Sequence, residues 1–138
     1  MVKTLLILIT ILITACTSKP SFDTSANKLD VSEIEIHTLG GFSGLVSSEE
    51  TEEMCKSFVM NNKEVISFFE LSSSISDREY GHDLTQSNCY VDGTLLLMDG
   101  SSGKWKIDKA GRGFISFTDG KVIYRYCNDC QIEAFYSL

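Results

Sequence analysis

The sequence predicts an α+β fold, an antiparallel β-meander packed against one or two helices. Residues 104–108, Lys-Trp-Lys-Ile-Asp, alternate polar and apolar side chains, as a strand with one buried face does. Asp119-Gly120 separates the β-rich runs 114–118 and 121–127, the strongest short hairpin signal in the chain. Val65, Phe68, Phe69 and Ser72 recur at helical spacing, with Ile66 beside them.

Taken in order, the elements begin with a strand over 31–37. There Ile34 and Ile36 alternate with Glu33, Glu35 and His37, and Gly40-Gly41 ends the run. His37 falls on the polar side and reads as an exposed, non-functional histidine. Residues 47–60 are ambiguous. Ser47 with Glu50 forms a possible capping box ahead of an acidic helix start, yet 54–60 equally suits a short strand carrying Cys55 inward. Asn61 or Asn62 can cap a helix over 62–73, with Glu64 three residues after Asn61, and Ser72-Ser73-Ser74 ends it. Its aromatic face reads as core. Strands follow over 89–98, where Gly93 marks a bulge, and over 104–108, where Trp105 and Ile107 face inward. Hairpin after hairpin gives an antiparallel sheet, and the helix must cover one face of it to bury Val65 and the two Phe. No internal repeat is visible.

Of the 138 residues, the first fifteen read as a signal segment. Lys3 supplies a positive start and residues 5–13 an apolar run shorter than the ~20 residues a membrane-spanning helix needs. Ile13-Thr14-Ala15-Cys16 resembles the lipobox of bacterial lipoproteins. The resemblance implies cleavage before Cys16, acylation of that cysteine with palmitate-type chains, and attachment to the cell envelope. Thr17 in place of Asp implies the outer membrane if the cell is Gram-negative. Residues 16–30, with the only proline, Pro20, read as a lipidated flexible tether, and residues 31–138 as a single α+β domain. About 14 extended residues reach ~46–50 Å from the bilayer. Loss of Lys3 takes the formal charge from −7 to −8. An acidic domain argues against nucleic acid and against adsorption on anionic head groups.

Four cysteines remain after Cys16: Cys55, Cys89, Cys127 and Cys130. An even number in an oxidising compartment predicts two structural disulfides, with at least one tying the C-terminal strand to Cys89 or the Cys55 region. Cys127-Asn128-Asp129-Cys130 also has the spacing of a thiol redox pair, but it follows a strand, and only Gln131–Leu138 remains for a supporting helix. Zinc on Cys127 and Cys130, completed by Cys89 and His82 or Cys55, is the third reading, although no second C-x-x-C or H-x-x-x-H supports it. No metal or other cofactor is expected.

The cluster 77–83 holds Glu79, His82 and Asp83, which have the chemistry of acid, base and orienter. No nucleophile motif stands beside them, and a solvated loop or edge strand is the simpler reading. Neither G-x-S-x-G, a P-loop nor G-x-G-x-x-G is present. No catalytic residue is expected. Ser87-Asn88-Cys89-Tyr90-Val91-Asp92-Gly93, Gly103-Lys104-Trp105-Lys106-Ile107, Gly120 and residues 124–130 together resemble small bacterial envelope proteins with the order Cys…Gly…Trp…Cys-x-x-Cys. That resemblance implies a domain core over residues 55–130 and no activity. The expectation is a membrane-anchored, non-enzymatic binding or structural domain with an envelope protein as partner. An inhibitor or immunity-type protein against a toxin or lysozyme-like enzyme is the first alternative. A thiol or zinc site at Cys127 and Cys130 is the second.

Overall fold

The computed structural model describes residues 29–136. The signal segment, Cys16 and the tether up to residue 28 lie outside the described residues. Six strands form one antiparallel sheet: β1 (Val31–Phe42), β2 (Ser73–Ile75), β3 (Cys89–Leu97), β4 (Ser102–Asp108), β5 (Arg112–Phe117) and β6 (Val122–Tyr126). Their order across the sheet is β1-β3-β4-β5-β6-β2. The four central strands are the expected meander, joined by tight turns, and β1 and β2 extend its two edges. Helix α1 (Glu52–Cys55) is a single turn and α2 (Asn62–Leu71) is the one longer helix among the described residues. A π-helical turn, Glu79–Asp83, and a 3₁₀ turn, Glu133–Phe135, complete the elements.

The strand alternation sorts the side chains as expected. Gly93, Trp105, Ile115 and Ile123 lie in one row across β3 to β6. Trp105, Ile107 and Ile115 are buried, whereas Lys104 is exposed and Lys106 and Ser116 are half-buried. The Trp105 indole stands edge-on to Phe69 of α2 at 6.2 Å, and its Nε1 donates to the Thr94 carbonyl at 2.9 Å. Asn61 caps α2 by accepting from Glu64 N at 3.0 Å, and Glu64 Oε2 accepts in turn from Asn61 N at 2.9 Å, the full capping box.

Several expectations need correction. β1 does not stop before Gly40-Gly41 but runs on to Phe42. Gly40 is needed because the chain after α1 presses on it. A Cβ there would lie 2.8 Å from the Cys55 carbonyl oxygen, φ is +59°, and its N–H donates to Phe58 O at 2.9 Å. Gly93 does mark a bulge, but the extra residue is in the facing strand, between Ile36 and Thr38 of β1, which pair with Gly93 and Asp92. The β3–β4 register runs through Gly93 unbroken, and the irregularities belong to β1 opposite. Glycine is required because a Cβ would stand 1.9 Å from the Glu35 carbonyl oxygen and 2.8 Å from the Trp105 ring.

Residues 54–60 form no strand. Thr51, not Ser47, caps α1, accepting from Met54 N at 3.3 Å, and buried Cys55, Phe58 and Met60 then carry the chain through the core without regular structure. α2 ends at Leu71, two residues early, and Ser73–Ile75 form the unexpected edge strand β2 against β6. Buried Arg125 explains that junction. Its Nη2 donates to the carbonyls of Phe69 (2.9 Å) and Ser72 (2.5 Å), satisfying oxygens at the C-terminal end of α2.

Candidate functional site

The two disulfides are Cys55–Cys89 and Cys127–Cys130. Neither ties the C-terminal strand to Cys89 or Cys55, contrary to the expected pairing. Register explains this. Cys89 opens β3 opposite Phe42 of β1, and α1 brings Cys55 beside β1, so these two meet in the core. Cys127 follows β6 on the far side of the sheet and closes on Cys130 within its own turn. A small cleft of about 190 Å³ lies beside this second bridge, lined among others by Lys109, Tyr126 and Tyr136. Among the described residues, no group of three or more His, Cys, Asp or Glu is arranged to hold a metal ion.

Glu79, His82 and Asp83 share the π-helical turn and are all exposed. Glu79 is committed locally. Ser76 donates to its Oε2 through both N and Oγ at 2.7 Å, and these bonds hold the carboxyl below the usual range. The buried residue of consequence is next door. Arg112 lies against Asp108, with Nη2 2.7 Å and Nε 2.9 Å from Oδ2. Its Nη1 donates to the Tyr80 carbonyl at 2.5 Å, and its guanidinium covers the Tyr80 ring at 4.5 Å. Tyr80 also packs on Tyr124 (4.7 Å) and Phe114 (6.0 Å). Burial pushes the Tyr80 hydroxyl up to about 12 and raises the Asp108 carboxyl despite Arg112. These groups clamp the chain that returns from β2 onto the sheet.

A second network of polar bonds lies at the β1–α1 connection. Residues 43–51 connect β1 to α1, and Asn88, 2% exposed, holds them from beneath. Its Oδ1 accepts from Ser43 Oγ and Val46 N, each at 2.9 Å. Its Nδ2 donates to Val46 O at 2.7 Å and Ser48 Oγ at 3.0 Å. Both faces of the amide are thus used within one loop. Ser43 N adds a bond to the Asn88 carbonyl at 2.9 Å. Glu50 closes the far end, accepting from Ser87 Oγ (2.5 Å) and Asn88 N (2.6 Å). Burial pushes the Glu50 carboxyl up, but bonds from Ser87, Asn88 and Ser48, with Lys109 nearby, outweigh it and hold it below the usual range. Cys89, which follows Asn88, carries the bridge to Cys55, so the α1 side of the loop is covalently tied to β3.

Among the loop's exposed polar residues stands one large apolar side chain. Leu45 is 88% exposed, and Phe42, 37% exposed, has its ring over Gly44. Comparison with protein-family models, with curated proteins and with solved structures finds no match to this chain. The functional reading therefore rests on the residues themselves. In the sequence, Asn88 stands out only within the resemblance to small envelope proteins, and Glu50 only as a possible capping partner of Ser47. Asn88 lies 42 residues from Val46 and Glu50 lies 38 from Asn88, beyond any local spacing rule.

Proposed function

We propose that this chain is an envelope lipoprotein, anchored through Cys16, whose disulfide-stapled α+β domain is a non-enzymatic recognition module. The antiparallel meander, backed by α2, serves as the rigid frame, and the Phe69–Trp105 contact supports that packing. One observation supports the reading: a nine-tenths exposed leucine stands between Ser43 and Val46, both bonded to the side chain of a buried asparagine. Fixing an apolar side chain in water brings the free protein no burial energy, but it removes ordering cost from an association. An inhibitor or immunity-type role is the variant of this reading that such a loop favours. The lipobox-like Cys16 would hold the module at the membrane by its acyl chains.

Two arms test it in the full chain. Cys16→Ala should abolish acylation and release the domain from the membrane fraction. A photo-crosslinking residue at position 45 should give protein adducts in cells that are absent when it stands at position 119, on the remote β5–β6 hairpin. Equal yields from both positions, or none from 45, would remove the recognition reading.

A further inference from the structure

Independently of the recognition reading, we propose that Cys127–Cys130 is a thiol–disulfide exchange site of the folded domain, with a dithiol as its reaction partner, whereas Cys55–Cys89 is closed to exchange until the core opens. The two bridges differ in what an attacking thiolate meets. Cys55 and Cys89 are 0% and 1% exposed and lie in the core, where α1 ends and β3 begins. Cys127 and Cys130 are 9% and 7% exposed, and both line the cleft of about 190 Å³, whose lining also carries exposed Asn128 and Tyr136. Exchange needs a thiolate to reach a bridge sulfur, so access decides which bridge reacts in the native state.

The surroundings let this second bridge open without unfolding the sheet. Its cysteines are separated by 3 in sequence, and Asn128 and Asp129 between them are exposed. On the β6 side, Cys127 N donates to Gly111 O at 2.8 Å. On the other side, Ile132 N donates to Cys130 O at 2.8 Å. Ile132 and Ala134 are buried, and Phe135 packs on Phe58 at 5.9 Å and Phe68 at 6.1 Å. These contacts keep the two cysteines neighbours once the S–S bond is broken, so the bridge can re-form. Among the described residues no α-helix begins at either cysteine, so no helix end lowers a thiol pKa. The pair therefore suits a bridge that a dithiol acts on, not the redox centre of an enzyme. One thiolate of the dithiol attacks a sulfur of the bridge, forming a mixed disulfide and releasing the other cysteine as a thiolate. The second thiolate then attacks the dithiol's own sulfur in the mixed disulfide, which closes the dithiol into a disulfide and releases the first cysteine. Two electrons pass to the protein, and the two protons of the dithiol end on Cys127 and Cys130.

The test uses the full chain, purified in detergent without reductant, and dithiothreitol as the dithiol. Samples taken over time without denaturant are quenched with an alkylating agent, and the label on each cysteine is mapped by mass. Cys127 and Cys130 should be labelled together, roughly a hundredfold or more faster than Cys55 and Cys89, because only the core pair waits for an opening of the structure. Urea below the unfolding transition separates the two routes. Labelling of Cys55 and Cys89 should accelerate with urea, since their reaction exposes buried surface, and labelling of Cys127 and Cys130 should not. Trp105 emission should stay native while Cys127 and Cys130 alone are reduced, and transfer to oxidised glutathione should restore the bridge. Equal rates at the two bridges, faster reaction at Cys55–Cys89, or a Cys127–Cys130 rate that climbs with urea in parallel with the core pair would overturn the proposal. Loss of native Trp105 emission on reduction of Cys127–Cys130 alone would overturn it as well, since the site would then not belong to the folded domain.

Discussion

Removing the Asn88 side chain should release the loop before it unfolds the domain. Asn88→Ala deletes four side-chain hydrogen bonds, two accepted and two donated. At about 0.5–1.5 kcal/mol net for each, the nominal loss is ~2–6 kcal/mol. The upper part of that range applies only if Val46 N–H and C=O stay buried without partners. The loop lies on the surface, and its freed groups can turn to water, so the expected loss is about 2–3 kcal/mol. Urea denaturation measures the global part, and hydrogen exchange at the Val46 amide measures the local part. Exchange at Val46 should accelerate by roughly thirty- to a hundred-and-fiftyfold, the change in opening equilibrium that this free energy gives. Amides of β4, remote from the loop, should retain their protection. A variant with unchanged midpoint and unchanged Val46 protection would show that Asn88 does not hold the loop. Loss of protection throughout the sheet would show that the loop and core open as one unit.

The remaining predictions concern core, bridges, acid and anchor. Trp105→Ala should destabilise by ~3–5 kcal/mol, since the indole is buried against Phe69 and hydrogen-bonded to Thr94; a native tryptophan emission that is red-shifted and freely quenched would show that its face is not core. Replacing Cys55 and Cys89 together by Ala should cost about 4 kcal/mol by the chain-entropy relation, from a separation of 34 residues, against about 2 for Cys127 and Cys130, separated by 3; the reverse order in urea would refute this assignment. The depressed pKa of Glu50 makes its bonds a source of stability above the ordinary carboxylate range that is lost as pH falls through its folded value. Val46 exchange, corrected for its intrinsic pH dependence, should therefore rise as pH falls below the ordinary carboxylate range; Glu50→Gln should flatten that rise, and an identical profile in the variant would contradict it. Cys16→Ala should shift the protein from membrane to soluble fractions, and persistent membrane association would argue against the acyl anchor.

What was legible in the sequence followed from periodicity. The alternation around Trp105 and the Asp119-Gly120 turn placed β4, β5 and β6 within a residue or two. The Asn61–Glu64 capping box placed the start of α2. The reason for each glycine is not legible, because sequence shows that a position lacks a Cβ but not what presses against it. At Gly40 it is the backbone after α1, and at Gly93 the carbonyl of Glu35. β2 was missed because three residues carry no period, and its place depends on Arg125 tying the end of α2 to the β6 edge. The disulfide pairing was open for the same reason. It is fixed by which strand lies opposite Cys89, a long-range fact. The loop over 43–51 shows that limit most fully, since Asn88 and Glu50 are ordinary polar residues until β1 and β3 pair and bring their ends together.

The most direct test of an anchored, disulfide-stapled domain is the intact mass of the protein extracted from cells in detergent without reductant, after blocking free thiols. The account predicts a chain beginning at Cys16, increased by its acyl groups, lighter by four hydrogens than the reduced form and carrying no thiol label. An unprocessed chain beginning at Met1, a chain without acyl mass, or thiol label at Cys55, Cys89, Cys127 or Cys130 would contradict it.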